Sequence, residues 1–197
     1  ITVVYAQNPR RALAQMAASF SGDQPTHLVA VTGTNGKSSI VTFCKQLWGA
    51  LGQGGASLGT IGISATLPDG RTIEKTGSLT TPDPVSLHRD LAELAADGVT
   101  HVAMEASSQG LDQHRMDGAR VTAAAFTNLT RDHLDYHGDM QQYFDAKMRL
   151  FTDVLATKGI AVLNRDMPEF TQAAAACALR GIRVIDVSAT DPRAAIH

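Results

Sequence analysis

The stretch Val31-Thr32-Gly33-Thr34-Asn35-Gly36-Lys37-Ser38-Ser39 sits between an apolar run and an amphipathic one. The run before it, His27–Thr32, reads as a buried strand. The segment after it, Lys37–Leu51, reads as a helix with Ile40, Val41, Cys44, Leu47, Trp48 and Leu51 on one face. Strand, glycine-rich turn and helix in that order are the context a phosphate-binding loop requires. Glycines let the backbone fold around an anion with N–H groups pointing inward. The helix N-terminus adds partial positive charge. In such a loop Lys37 reaches the terminal phosphates and the Ser38 hydroxyl ligates Mg2+. The general spacing puts glycine at position 31, where this chain has Val, so the match is to the variant T-G-T-N-G-K-[ST]. The plainer alternative is a strand–helix turn with a surface lysine.

Outward from the loop, short apolar runs alternate with amphipathic stretches. Thr100–Glu105, Val121–Phe126, Ile160–Leu163 and Ile182–Val187 read as further strands. Residues 10–20, Pro84–Asp97, Met140–Phe151 and Pro168–Leu179 read as helices. Gly54–Gly62 reads as a glycine-rich strand with a close backbone neighbour. Ile61–Thr66 and Arg71–Thr76 flank Pro68-Asp69-Gly70, a hairpin signal. The pattern predicts an α/β fold, a mostly parallel sheet flanked by helices. The last ten residues carry no clear pattern.

The 197 residues suffice for one domain, or one domain plus a stub. With 44% hydrophobic and 18% charged residues the chain reads as soluble and globular. A net charge of -2 gives no reason to expect a nucleic acid or a membrane surface as partner. No stretch approaches the ~18 apolar residues of a membrane span. Cys44 and Cys177 lie in apolar, helical surroundings and read as buried small hydrophobes, compatible with a reducing cytoplasm. Ile1-Thr2-Val3-Val4 lacks a basic leader and a cleavage site. The chain starts without Met, so a piece of a longer protein is expected. Oligomeric state is not readable.

Three more segments carry chemistry. Glu105 ends a predicted strand, where ligands gather in open α/β sheets. It reads as a Mg2+ ligand or as a charge marking the strand end. Phe126-Thr127-Asn128-Leu129-Thr130-Arg131-Asp132-His133-Leu134-Asp135-Tyr136-His137 is dense in ligand-capable groups. On its own, His133 reads as a structural hydrogen-bond partner. Lys147 lies on a predicted helix and reads as a solvated lysine. Asp83 could cap a helix with Pro84 at its first position. Ser107–Arg115 reads as a polar loop.

Taken together these blocks resemble the Mur ligases and the related folylpolyglutamate synthetases. The phosphate loop, the N-L-[ST]-x-D-H-L-D-Y-H block and the A-K-x-x-[LI]-[FY] block all match, over about residues 25–170. The resemblance implies a P-loop NTPase-like central domain that binds ATP through Gly33, Thr34, Asn35, Gly36, Lys37, Ser38, Ser39 and Asn128. It implies Mg2+ held by Ser38, Glu105, His133 and Lys147, with Lys147 carbamylated. Lys37, His133 and Lys147 become the expected catalytic residues.

Thr80-Thr81-Pro82-Asp83 and Ser107-Ser108-Gln109-Gly110-Leu111-Asp112-Gln113-His114-Arg115 are similar to segments of the tripeptide-forming branch of that family. There they bind UDP-N-acetylmuramoyl-L-alanyl-D-glutamate. Thr80, Thr81, Ser107, Gln113 and Arg115 are therefore expected to bind this acceptor. The implied reaction adds a third amino acid, meso-diaminopimelate or L-lysine, through an acyl phosphate in the cytoplasm. The family pattern often has His at position 109 and Asp at position 167, where this chain has Gln109 and Met167. The expected layout is the tail of a uridine-binding domain over residues 1–24, a central domain over 25–197, and no C-terminal ligase domain. Competing readings are another ligase of the family, a P-loop ATPase without ligase activity, and a silent binding module.

Overall fold

β1 (His27–Thr32) lies at the heart of one eight-stranded sheet, with β5 (His101–Glu105) and β6 (Val121–Phe126) parallel on its two sides. The computed structural model describes residue 3 and residues 5–197. The expectation placed on Ile1, Thr2 and Val4 lies outside the described residues.

The remaining strands are β2 (Gly55–Gly59), β3 (Gly62–Thr66), β4 (Thr72–Lys75), β7 (Ile160–Asn164) and β8 (Arg183–Val187). Their order is β4-β3-β2-β5-β1-β6-β7-β8. β2, β5, β1, β6, β7 and β8 run parallel across the sheet, and β3 and β4 add an antiparallel edge. The predicted fold class holds. Because β1 has helices on both faces, both sets of its alternating side chains are apolar. Leu28 and Ala30 join the larger core, while Val29 and Val31 pack on the opposite side with Val41, Cys44 and Trp48.

The helices are α1 (Pro9–Ser21), α2 (Lys37–Ala50), α3 (Pro84–Ala96), α4 (Ser108–Asp112), α5 (Leu134–His137), α6 (Met140–Arg149) and α7 (Phe170–Leu179). α6 runs on into one π-helical turn, Leu150–Val154. Asn8, Asp83 and Asp139 cap α1, α3 and α6 by accepting from first-turn N–H groups. α1 lies along α3, and a side chain at Gly118, in the loop before β6, would press on Ala18 of α1.

Several sequence expectations change in detail. Leu47 and Leu51 are exposed, because α2 turns only its Val41–Cys44–Trp48 side to the sheet. Cys44 is half-buried and Cys177 fully buried, and both are free. Gly54–Gly62 is not one strand: it breaks at a two-residue turn, Thr60–Ile61, between paired Gly59 and Gly62. α4 and α5 were not expected at all.

Phe126 anchors the larger core, with its ring stacked 6.0 Å from both Phe144 and Phe151. Replacing it by Ala leaves a hole between α6 and the sheet. Urea denaturation should show Phe126→Ala losing about 3–5 kcal/mol of stability.

Candidate functional site

The phosphate loop joins β1 to α2. Gly33 and Gly36 take positive φ, 139° and 87°, which L side chains rarely adopt. At Gly33 a Cβ would also collide with Thr127 Oγ1. The segment after β6 braces the loop from outside. Thr34 N–H donates to Asn128 O at 2.9 Å, and Asn35 N–H to Asn128 Oδ1 at 3.0 Å. Thr127 Oγ1 and Asn128 Nδ2 donate back to Asn35 O at 2.7 and 3.2 Å. The Asn128 side chain is thus engaged with the loop itself.

Two lysines converge on one carbonyl. Lys37 Nζ donates to Gly33 O and Thr34 O, both at 2.8 Å. Lys147 Nζ reaches Gly33 O at 3.0 Å from α6. Lys147 is 1% exposed and stands 4.4 Å from the centre of the Tyr143 ring. Burial, then the nearby Lys37 charge, lowers its pKa to about 7, and Asp132 opposes the shift. Burial also lowers the pKa of Lys37, with Glu105 and Asp132 opposing. The sequence suggested a solvated lysine at 147; tertiary packing makes it a buried, readily neutral amine.

Glu105, 2% exposed, sits at the C-terminal end of β5. Its Oε1 accepts from Ser38 Oγ and from Thr60 N–H, each at 2.9 Å. A hydroxyl and a carboxylate side by side at a helix N-terminus are hard oxygen donors suited to Mg2+. Among the described residues there is no group of three His, Cys, Asp or Glu for a metal. His133 is half-exposed with positive φ, beside Asp132 and edge-on to Tyr143 at 6.1 Å. His137, by contrast, is buried against Ser108 Oγ at 2.9 Å, and burial lowers its pKa.

Thr80, Thr81, Ser107, Arg115 and His133 share a cavity of about 220 Å³. Thr81 is fully buried and stitches the wall together: its hydroxyl donates to Glu105 O at 3.0 Å and accepts from Ser107 N–H at 2.9 Å. Gly110 is required here, because a Cβ would lie 2.6 Å from Thr81 Cβ. Arg115 donates to Thr81 O at 2.8 Å and to Gln113 Oε1 at 2.7 Å. Gln113 stands behind Arg115, outside the cavity lining, and donates to Tyr136 Oη at 3.0 Å. The sequence reading missed Thr60, Thr127 and Tyr143. The glycine-rich Gly54–Gly62 stretch was the one signal near Thr60.

Residues 31–197 match the family described as the Mur ligase middle domain. The chain belongs to the Mur ligase family. Within it, the chain is 51% identical over 180 residues to a UDP-N-acetylmuramoyl-L-alanyl-D-glutamate--2,6-diaminopimelate ligase from Bradyrhizobium diazoefficiens, covering 91% of this chain and 36% of that protein. It is 53% identical over 174 residues to the Rhizobium meliloti protein of the same name, covering 88% and 35%. A solved structure of a ligase of that name superposes with a TM-score of 0.83 at 30% identity, over 97% of this chain and 38% of that one. A folylpolyglutamate synthase from Mycobacterium tuberculosis shares the fold, with a TM-score of 0.66 at 18% identity over 93% of this chain and 47% of that one. The Mur ligase chain described here therefore spans little more than a third of its relatives' length.

The buried Lys147 has a measurable signature. Its folded pKa is about 7, against an ordinary 10.5. Between those values the unfolded chain holds a proton that the folded chain lacks, so stability rises with pH across the window. Lys147→Met should therefore melt above wild type at pH 6 in bicarbonate-free buffer. That advantage should shrink steadily from pH 7 towards pH 10. An advantage that does not vary with pH would exclude burial of the charged amine as its cause.

Proposed function

We propose that this chain is the ATP-binding centre of a ligase that adds the third amino acid to UDP-N-acetylmuramoyl-L-alanyl-D-glutamate, the MurE-type reaction. The observation that carries the reading is the junction of two sites at one residue. Glu105 meets the phosphate loop through its side chain and the Thr81–Ser107–Arg115 wall through its backbone carbonyl. A P-loop ATPase without ligase activity has no need of that wall. The similarity to ligases of this name supports the same reading and favours 2,6-diaminopimelate over L-lysine.

The proposed reaction is the one the family resemblance implies. The terminal phosphoryl group of ATP passes to the side-chain carboxylate of D-glutamate: one P–O bond breaks, another forms, and ADP leaves. The amine of the incoming amino acid attacks the acyl carbon, and phosphate departs as the amide forms. The loop N–H groups and Lys37 hold the phosphates and offset their charge. Bound Mg2+ would supply further charge neutralisation at the phosphate oxygens, and Ser38, Glu105, His133 and carbamylated Lys147 are the residues that would hold it. Arg115, pinned by Gln113, presents a planar guanidinium suited to a carboxylate or phosphate. Thr80, Thr81 and Ser107 orient the acceptor.

Lys147 fits the carbamylation expected of it. A buried amine with pKa about 7 is largely neutral just above neutrality, and a neutral amine can attack CO2. The new N–C bond forms, a proton leaves, and the cation becomes a carboxylate-like anion. We propose residues 1–24 as the tail of a preceding domain, 25–197 as the central domain, and a further domain that selects the amino acid. No described helix is long and apolar enough to cross a membrane, and we place the enzyme in the cytoplasm with small-molecule partners.

Calorimetry with UDP-N-acetylmuramoyl-L-alanyl-D-glutamate, Mg2+ and a non-hydrolysable ATP analogue tests the reading on a full-length ligase carrying this domain. Arg115→Ala should weaken acceptor binding about 10- to 100-fold, as expected for lost bonds to a charged group. Silence of the wild-type ligase would remove the muramoyl assignment and leave an ATP-binding core. The isolated chain should make little or no amide. In 13C-bicarbonate, NMR should show a carbamate carbon signal that Lys147→Met abolishes.

A further inference from the structure

The turn between β2 and β3 touches both halves of the site. We propose that Thr60, in that turn, is a positioning residue that couples acceptor binding to the placement of the Glu105 carboxylate. The proposal rests on the ligase reading above.

A buried carboxylate accepts hydrogen bonds and donates none, so its orientation is set by the donors around it. Thr60 supplies two of them. Its N–H reaches Oε1 at 2.9 Å and its hydroxyl reaches Oε2 at 3.4 Å. Ser38 Oγ supplies a third, to Oε1. Thr60 therefore touches both carboxylate oxygens and fixes the plane in which they lie.

The turn is built for this contact. A Cβ at Gly59 would overlap the Glu105 carboxylate, so the glycine makes room for it. Gly62 closes the turn at φ 109°, where a side chain would run into Lys75 O. Both ends of the two-residue turn are thus restricted to glycine, and the backbone N–H of Thr60 is held in place.

The second link points the other way. Thr60 Oγ1 lies 2.9 Å from Thr80 Oγ1, and both residues line the acceptor cavity. Either hydroxyl can donate in the Thr60–Thr80 contact. Thr60 has one hydroxyl proton, and in the proposed arrangement it is donated to the carboxylate. Towards Thr80 it can then only accept. The proposed chain of donors then runs Thr80 to Thr60 to Glu105, the direction that gives the carboxylate a donor. A ligand that re-aims the Thr80 hydroxyl changes the polarisation of the whole chain. Acceptor occupancy is thereby felt at Glu105, and by reciprocity metal at Glu105 is felt by the acceptor.

The test uses a full-length ligase that carries this domain. Calorimetry measures the Kd of UDP-N-acetylmuramoyl-L-alanyl-D-glutamate with an ATP analogue present, with and without Mg2+. In the wild type Mg2+ should tighten acceptor binding by ~10-fold, a typical coupling between sites. Thr60→Val keeps the shape and the backbone N–H but removes the hydroxyl. It should bring that ratio to about one, and Thr60→Ser should restore it. Thr80→Val cuts the same chain from the other side and should also lose the ratio. Analogue binding by each variant reports that the domain is folded. A wild-type ratio kept by both valine variants would overturn the proposal alone. A wild type that does not bind the acceptor would overturn the ligase reading, and this inference with it.

Discussion

The phosphate loop must turn its amides inward, and that forces its carbonyls outward, where each needs a donor. Gly33 O takes two lysines, Thr34 O takes Lys37, and Asn35 O takes Thr127 and Asn128. Three of these four partners come from more than 90 residues away. The consequence reaches α6. To serve Gly33, the amine of Lys147 is buried beside the Lys37 amine, and its lowered pKa follows from that burial. The brace for the loop and the lowered pKa of the lysine come from one arrangement.

Much of the fold was legible because its signals are local. β1, β5 and β6 are covered on both faces, so their sequences are continuous apolar runs. The phosphate loop is a contiguous motif in an expected context. α4 and α5 were not legible, since they have only five and four residues and are set by a Ser107 cap and a left-handed His133. Thr60 escaped because its partner lies 45 residues away, and one exposed threonine in a glycine-rich stretch carries no pattern. Lys147 shows the same limit from the other side. Its helix predicts a solvated lysine, and only the tertiary contact with Gly33 and Tyr143 buries it.

The Thr81–Ser107–Arg115 wall and the phosphate loop are not separate modules placed near each other. Thr81 bonds the backbone of Glu105, while Ser38 and Thr60 bond its side chain. A shift of β5 by one residue would reverse the face on which Glu105 points and break both sets of contacts. This is why the strand pairing Val31↔Glu105 matters chemically. It aligns the start of the loop with the carboxylate, and packing on both faces of the sheet holds the register.

β4 has a consequence of a different kind. It is the outermost strand on its side, and an uncovered strand edge can recruit strands from other molecules. Here the edge is short, only Thr72–Lys75, and carries Glu74 and Lys75. Glu74 accepts from Ser64, and Lys75 pairs with Asp90 and Glu93 on α3. A strand docking alongside would have to accommodate these charges within a four-residue ladder. The β2–β3–β4 meander that supplies Thr60 at its first turn thus ends in a short edge whose charges oppose pairing with another strand.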